Sequence, residues 1–311
     1  MYHLIIDCDP GHDDIIASMV AMAHPETFDI LGFTTVAGNQ TLEKVTNNLL
    51  RVQTLLETDY PVSMGYDAPI IKALEVQPKA HGESGLDGPI LPEAKRTVTG
   101  LHAIEFMKET LENSSEKVTF LCIGPLTNMA LFLKTYPHLK EKIQAIAIMG
   151  GAVNGGNIQL KSEFNIYHDP EAAKIVFGSG AKVIMAGLEV CYAGSILLSE
   201  AEEANGRGRA SQLFYDLMKF YGRYAVDRGW DRTAIFDMTP LIYLLRPELF
   251  ETKEYEVHVE LNGEYTRGMT VVDLAKTEDL IHPATVLWDV KREEFIQTLF
   301  EALDILDKRY Q

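Results

Sequence analysis

Short apolar runs alternate along this chain with longer segments that have the periodicity of amphipathic helices. This alternation restricts the fold more than any other feature of the sequence. The apolar runs cover residues 4–6, 30–36, 118–123, 145–149 and 183–186, and the helical segments cover residues 15–23, 42–58, 100–112, 126–134 and 171–177. Strands that are apolar on both faces are typical of parallel sheets covered by helices. The alternation therefore predicts an α/β fold with right-handed β-α-β crossovers.

The whole chain is predicted to form one domain, residues 1–311, with a mostly parallel, Rossmann-like central sheet and helices on both faces. Residues 199–232 are predicted to be helical, residues 255–261 to form a more exposed strand, and residues 293–307 to form a terminal amphipathic helix. Asp169 and Pro170 supply an N-cap and a first helical residue for the segment at 171–177. No flexible linker or repeat divides the chain.

The charge balance excludes several classes of partner. The chain has 28 Lys and Arg residues against 45 Asp and Glu residues, a net charge of −17, without a concentrated basic run. Nucleic acids and anionic membranes normally attract a basic patch, so neither is expected as a partner. The three cysteines, Cys8, Cys122 and Cys191, lack paired C-x-x-C spacing and are predicted to be reduced core residues. Since no leader-like or membrane-spanning segment is apparent, we expect a cytoplasmic protein.

Four carboxylates follow the first apolar run, at the end of a predicted strand where parallel sheets bind their ligands. Asp7, Asp9, Asp13 and Asp14 lie within eight residues, and a Pro-Gly pair between them favours a tight turn. Such carboxylates repel one another unless a cation lies among them, and their oxygens suit Ca²⁺ or Mg²⁺ better than zinc. The alternative is an acidic helix start, but it leaves the aspartates at the end of a buried strand unexplained. We therefore predict a metal site.

Polar groups also follow the other apolar runs. Asn39 is placed either to bind a sugar hydroxyl or to cap the helix that starts near residue 41. The backbone carbonyl of Ile123 is available to a hard cation. Glu163 and Asn165 share one face if extended and would suit a pair of hydroxyls. The glycine-rich segment 150–157 lacks the spacing of nucleotide-binding loops, so no nucleotide phosphate is implied.

A glycine-rich loop at residues 80–88 contains His81 together with Glu, Ser and Asp residues. Leu86 stands where a nucleophile elbow would need glycine, so a serine nucleophile is not expected. The loop either covers a ligand or has only a structural role.

Taken together, these fragments resemble the nucleoside hydrolases of the inosine–uridine-preferring type over residues 3–308. The resemblance is carried in order by D-C-D-P-G-H-D-D at 7–14, T-T-V-A-G-N-Q at 34–40, H-G-E-S-G at 81–85, M-G-G-A at 149–152, E-F-N-I-Y at 163–167 and G-M-T-V-V-D at 268–273. The aspartate-rich turn is the most diagnostic of them. The resemblance implies the nucleoside hydrolase fold and a reaction in which a ribonucleoside and water give ribose and a free base.

The resemblance also implies roles for individual residues. The calcium ion of the family would be held by Asp9, Asp14, the backbone carbonyl of Ile123 and Asp237. Asp9 also matches the base that deprotonates the attacking water, and His81 matches a histidine in a loop near the nucleobase. The residues that match those gripping the ribose hydroxyls and O5′ are Asp13, Asn39, Asn157, Glu163 and Asn165. A homodimer or homotetramer is implied as well.

The sequence departs from the family at one position that bears on chemistry. Many relatives have a histidine directly before the last calcium aspartate, where it protonates or contacts the departing base; here this residue is Phe236. Phenylalanine cannot donate a proton, although it can stack on a base. Three interpretations follow: the base leaves unprotonated, stacked on Phe236 and Trp230; the substrate is a modified nucleoside; or the acid is one of Tyr224, Tyr221, His81 and Arg232.

Two other functions remain as alternatives. An aspartate-based phosphohydrolase of the haloacid-dehalogenase type also places D-x-D after an apolar strand. That pattern does not explain Asp13, Asp14 or the pair of Glu163 and Asn165, and Gly11 stands where it normally has Thr or Val. The second alternative is a catalytically weak or inactive nucleoside- or ribose-binding protein on the same fold, although all the implied calcium and ribose residues are present.

Overall fold

A mostly parallel sheet forms the centre of the computed structural model, which describes residues 1–276 and 278–310. The strands are β1 (Tyr2–Cys8), β2 (Phe28–Thr35), β3 (Val62–Met64), β4 (Val118–Cys122), β5 (Ile143–Met149), β6 (Val183–Ala186), β7 (Ile196–Leu197), β8 (Arg232–Thr233), β9 (Phe250–Val259), β10 (Thr270–Val272) and β11 (Pro283–Val290). In the described residues nine of them form the main sheet, in the order β10-β9-β11-β6-β5-β4-β1-β2-β3. In that sheet β9 pairs antiparallel with both β10 and β11, and the other described pairs are parallel. The strands β7 and β8 pair in a small separate ribbon.

Helices cover both faces of this sheet, as predicted. They are α1 (His12–Ala23), α2 (Leu42–Leu55), α3 (Pro78–His81), α4 (Ala103–Asn113), α5 (Thr127–Thr135), α6 (Phe164–His168), α7 (Pro170–Phe177), α8 (Leu188–Ala193), α9 (Leu198–Ala201), α10 (Arg209–Tyr221), α11 (Arg223–Val226), α12 (Met238–Leu245) and α13 (Arg292–Lys308). No helix within residues 1–276 and 278–310 is both long and apolar enough to cross a membrane.

The two faces of β1 show why this sheet is buried on both sides. Leu4 and Ile6 belong to the core that β1 forms with α1, α10, α12 and α13, whereas Ile5 belongs to the core formed with α4, α5 and α7. All three side chains are fully buried. A strand that alternates between two apolar cores is apolar at every position, which is the pattern that predicted a parallel sheet.

The structure confirms the single α/β domain and the five predicted parallel strands, and it adds detail that the pattern did not contain. Asp169 caps α7 as predicted, because its side chain accepts a hydrogen bond from the Ala172 N–H at 3.0 Å. The predicted helical region 199–232 is divided into shorter helices, and glycines at 206, 208 and 222 lie between them. The exposed strand predicted at 255–261 is part of β9, which begins five residues earlier and ends at Val259. The strands β3, β7, β8, β10 and β11 were not predicted, and β8 begins at the last residue of the region predicted to be helical.

The strand order places a ligand site. The strands β2 and β3 lie on one side of β1, and the strands β4, β5 and β6, which come later in the chain, lie on the other side. Loops that leave neighbouring strands in opposite directions open a crevice at the carboxyl ends of β1 and β4. Asp9 and Ile123 follow these two strands.

Candidate active site

Asp9 directly follows β1 at this edge of the sheet and is 1% exposed. Its Oδ2 accepts a hydrogen bond from the Asn39 N–H at 2.7 Å, whereas its Oδ1 is buried without a partner in the described residues. A Cβ at Gly38 would stand 2.1 Å from Oδ2, and one at Gly124 would stand 2.6 Å from Oδ1. These glycines are needed because the chain approaches the carboxylate too closely for any side chain. One oxygen of Asp9 is thereby fixed and the other is left for a ligand.

Asp14 is held by backbone N–H groups of the turn that starts α1. Its Oδ1 accepts from the Asp9 N–H at 3.0 Å, and its Oδ2 accepts from the Gly11 N–H at 3.0 Å. The Asn39 side chain adds a third bond to Asp14, from Nδ2 to Oδ2 at 3.2 Å. A carboxylate at the third position of a helix commonly closes the first turn in this way, and the positive end of the helix favours its charge.

Asp237 comes from the beginning of α12 and joins Asp13 and Asp14. One carboxylate oxygen from each of the three residues lies within 4.8 Å of the others. With Asp9 these residues form a group that we call the acidic cluster, and each member is at most 5% exposed. Asp13 is thus within reach of the two aspartates that, with Asp9, are the calcium ligands implied by the family resemblance.

Mutual repulsion and burial both act on the acidic cluster. Burial, followed by the charges of neighbouring carboxylates, raises the pKa values of Asp9 and Asp237 well above the ordinary range. Burial also raises the pKa of Asp13 to about 8 and that of Asp14 to about 6. Oδ1 of Asp13, like that of Asp9, is buried without a partner in the described chain. Oxygen donors of this kind, with unsatisfied charge, fit a hard divalent cation.

Two asparagines beside the cluster use their amide N–H groups on the protein. Asn165 Nδ2 donates to the carbonyls of Ile123 at 2.9 Å and Met149 at 3.1 Å, and so it bridges the ends of β4 and β5. Asn39 Nδ2 donates to the Asp9 carbonyl at 3.1 Å as well as to Asp14. Asn39 therefore does not cap α2, which has Thr41 at its N-cap position. Both asparagines are left with an amide oxygen to offer to a ligand.

Glu163 completes the polar lining from the N-terminus of α6. Its Oε1 accepts from the Asn165 N–H at 2.9 Å, and its Oε2 accepts from the N–H groups of Gly151 at 3.0 Å and Ile166 at 3.2 Å. Burial raises the pKa of Glu163 to about 7. Asn157 lies outside this group: it is exposed, and its Oδ1 accepts from the Phe164 N–H at 2.9 Å.

His81 from the 80–88 loop packs over the start of α1. Its Nδ1 accepts from the His12 N–H at 3.3 Å and lies 3.1 Å from His12 Nδ1. His12 Nε2 in turn donates to the Asp87 carbonyl at 2.9 Å, which ties the loop to the helix. Burial lowers the pKa of His12 to about 4 and that of His81 well below the ordinary value, so both rings are neutral at pH 7.

Tyr221 is the tyrosine that reaches the acidic cluster. Its hydroxyl donates to Asp13 Oδ2 at 3.4 Å, and its ring lies 5.5 Å from the rings of both His12 and His81. Tyr224, the other tyrosine among the candidate acids, is 40% exposed and lies against the Arg228 guanidinium.

The remaining candidates are less deeply buried than the acidic cluster. Phe236 is half-buried and packs edge-on against Tyr192, with ring centroids 5.6 Å apart. Trp230 is 53% exposed, and the Arg232 side chain donates to Asp231. His12 was not singled out from the sequence, although it stands inside the aspartate-rich turn beside Asp13.

Comparison with known proteins identifies one enzyme class, the N-glycosyl hydrolases that act on ribonucleosides. The family model described as inosine-uridine preferring nucleoside hydrolase matches residues 4–297, and the chain belongs to this family. The chain is 45% identical over 304 residues to the pyrimidine-specific ribonucleoside hydrolase RihA of Shigella boydii serotype 4, covering 96% of this chain and 97% of that relative.

Solved structures agree with this assignment. The purine-preferring ribonucleoside hydrolase from Gardnerella vaginalis superimposes with a TM-score of 0.92 at 28% identity, covering 99% of each chain. The plant nucleoside hydrolase PpNRh1 superimposes with a TM-score of 0.90 at 27% identity, covering 97% of this chain and 98% of that one. The nucleoside hydrolase fold implied by the sequence is thus confirmed.

Proposed function

We propose that this enzyme hydrolyses the N-glycosidic bond of ribonucleosides with a Ca²⁺ ion at the acidic cluster. The carboxylates of Asp9, Asp14 and Asp237 and the backbone carbonyl of Ile123 would hold the ion. Oxygen donors alone, drawn from carboxylates and a carbonyl, are the ligands that Ca²⁺ prefers. When bound, the ion supplies a positive charge that offsets the buried carboxylates and lowers the pKa of an adjacent water.

Asp9 is the general base in this proposal. Its Oδ1 is buried without a partner in the described residues, while Oδ2 is held by the Asn39 N–H. A base fixed in this way can accept the proton of a water that attacks the anomeric carbon. Neighbouring carboxylates then stabilise the oxocarbenium-like transition state electrostatically.

The substrate class is inferred from one observation: the polar groups that the site offers to a ligand are hydrogen-bond acceptors. The side-chain N–H groups of Asn39 and Asn165 already donate to protein acceptors. Asp13 and Glu163 supply carboxylates, and the charges that shift the pKa values of Asp9, Asp13 and Asp237 are those of other aspartates. Acceptors of this kind suit the donating hydroxyls of ribose and would repel a phosphate. The arrangement favours a nucleoside hydrolase over a phosphohydrolase.

The direct test is release of free base, measured by HPLC, from pyrimidine, purine and modified nucleosides with Ca²⁺ and after treatment with a chelator. We expect faster release from pyrimidine nucleosides, because the pyrimidine-specific relative is 45% identical whereas the purine-preferring one is 28% identical. The matching 5′-monophosphates serve as controls and should give neither base nor phosphate. Ribose binding without base release would support the binding protein, and phosphate release would support the phosphohydrolase.

Phe236 and His81 are proposed to contact the nucleobase. The Nδ1 of His81 faces the backbone N–H and the Nδ1 of His12, so its Nε2 is the ring nitrogen left for a base. Phe236 offers only its ring. The leaving base would then be held by stacking and by one neutral imidazole, in place of the histidine that the family resemblance implies at position 236.

Replacing Phe236 with histidine should change base preference more than ribose affinity. A proton donor at this position would accelerate release of the bases that need protonation, by up to about 10²-fold, because general acid assistance contributes on that order or more. The comparison is kcat/KM across the nucleoside panel, with the inhibition constant of free ribose measured in parallel. Phe236→Leu is the matched control, since it alters the ring without adding a donor. Equal rate changes for every base would show that residue 236 does not face the base.

A further inference from the structure

The motif at residues 268–273 has no part in the mechanism above, yet it contacts the loop that follows β5. Thr270 is the first residue of β10, pairs with Val259 of β9, and is 1% exposed. Its hydroxyl donates to the Ala152 carbonyl at 2.6 Å and accepts from the Ala152 N–H at 2.8 Å. One side chain therefore satisfies both polar backbone groups of a residue in the glycine-rich loop 150–154.

Glu189 holds the same loop from another direction. Its carboxylate accepts from the Val153 N–H at 3.0 Å and from the Asn154 N–H at 2.8 Å. The neighbouring Leu188 N–H donates to the Gly151 carbonyl at 2.9 Å. Polar backbone groups of consecutive loop residues thus have partners on β10 and α8, which fixes the loop although it contains no helix or strand.

The 150–154 loop donates a hydrogen bond directly to Glu163. Gly151, the residue before Ala152, donates its N–H to Glu163 Oε2 at 3.0 Å. Gly151 has a φ of +82°, and a Cβ there would stand 2.8 Å from Thr270 Cγ2 and 2.7 Å from Met185 Cε. The position of the N–H that orients Glu163 therefore depends on the side chain of Thr270.

The segment before Thr270 contacts the chain on both sides of Glu163. The Arg267 carbonyl accepts from the Ser162 hydroxyl at 2.7 Å. A Cβ at Gly268 would stand 2.7 Å from the Tyr167 Cα, so this backbone packs directly on α6. Residues 267–270 thus pack against the segment that contains Glu163.

We propose that Thr270 is a positioning residue for the hydrolase reaction, which holds the 150–154 loop so that the Gly151 N–H keeps Glu163 oriented toward the ribose. This inference rests on the proposed function, because it takes Glu163 to bind a ribose hydroxyl. It assigns a role to the G-M-T-V-V-D motif, which lies about a hundred residues along the chain from Glu163.

Thr270→Val keeps the shape of the side chain but removes both hydrogen bonds to Ala152. We expect KM for a nucleoside to rise about tenfold with a smaller change in kcat, because misplacing a group that binds ground state and transition state alike weakens binding. Thr270→Ser keeps the hydroxyl and should restore KM. Thr285→Val is the matched control: it removes a buried hydroxyl on β11 that donates to Glu254, without touching the loop. A rise in KM that also occurs in the control would overturn the inference.

A double-mutant cycle separates this role from general stabilisation. In a Glu163→Gln background, Thr270→Val should raise KM less than about twofold, because the side chain through which it acts is already altered. A full tenfold effect in that background would overturn the role of Thr270 and leave that of Glu163 intact. If Glu163→Gln changed neither KM nor kcat, the proposed ribose contact itself would be wrong. Should Thr270→Val fail to fold, Glu189→Ala loosens the same loop from α8, and the same cycle decides.

Discussion

Replacing Asp9 with alanine should lower kcat by about 10²–10⁴-fold while the protein remains folded. The substitution removes the free Oδ1, which is the proposed base, and general base assistance contributes about 10²–10⁴-fold. The fold should survive because Asp9 Oδ2 accepts one hydrogen bond, from the Asn39 N–H. Its carboxylate is also buried among others of the same charge, and removing it relieves that repulsion. Base release gives kcat, and thermal unfolding reports on the fold.

Asp7→Asn is the matched control for this experiment. Asp7 lies two residues earlier on β1, is fully buried, and burial raises its pKa to about 7. Its Oδ1 accepts from the Thr34 hydroxyl and from Asn128 Nδ2, and an asparagine oxygen can accept the same bonds. Near-normal turnover in this variant with a large loss in Asp9→Ala would assign the effect to the Asp9 carboxylate, in its proposed roles as base and calcium ligand. Near-normal turnover in Asp9→Ala would contradict the proposed water activation.

The sequence predicted the parts of the site that depend on strand order. Asp9 and Ile123 could be placed together because each lies at or just beyond the end of an apolar run, and the carboxyl ends of parallel strands meet at one edge of the sheet. The turn into a helix near Asp13 and Asp14 was also predictable, because it depends only on neighbouring residues. The strands themselves were recognisable because burial on both faces leaves no polar position in them.

Contacts between distant segments were not predictable in the same way. Tyr221 and His12 meet across more than two hundred residues, and nothing in the α10 pattern distinguishes the buried Tyr221 from the exposed Tyr224 three residues later. Asn39 was ambiguous for another reason. A residue just before a helix can either cap that helix or bind a ligand, and its contact with Asp14 depends on the tertiary fold. Such choices are made by tertiary packing, which local patterns do not record.

Ca²⁺ should stabilise the protein, and by more at pH 8 than at pH 5. Without a cation, the buried carboxylates bind protons more tightly in the folded than in the unfolded protein. Their pKa values are raised, to about 6 for Asp14 and about 8 for Asp13, from 3.8. The stability that this contributes is fully present below about pH 4 and is lost as the pH rises through these values. A bound cation favours the ionised carboxylates and so opposes the loss.

The expected rise in Tm follows from the free energy of Ca²⁺ binding. At a free Ca²⁺ concentration one hundred times its Kd, binding contributes about 2.7 kcal/mol, which at about 2 °C per kcal/mol is a rise in Tm of about 5 °C at pH 8. The protein is first freed of metal with a chelator, and Tm is then measured at both pH values with and without Ca²⁺. Asp237→Asn should abolish the rise because it removes a proposed ligand. Asp304→Asn, on the surface of α13, should leave it unchanged. Equal rises in wild type and Asp237→Asn would place the ion elsewhere than in the acidic cluster.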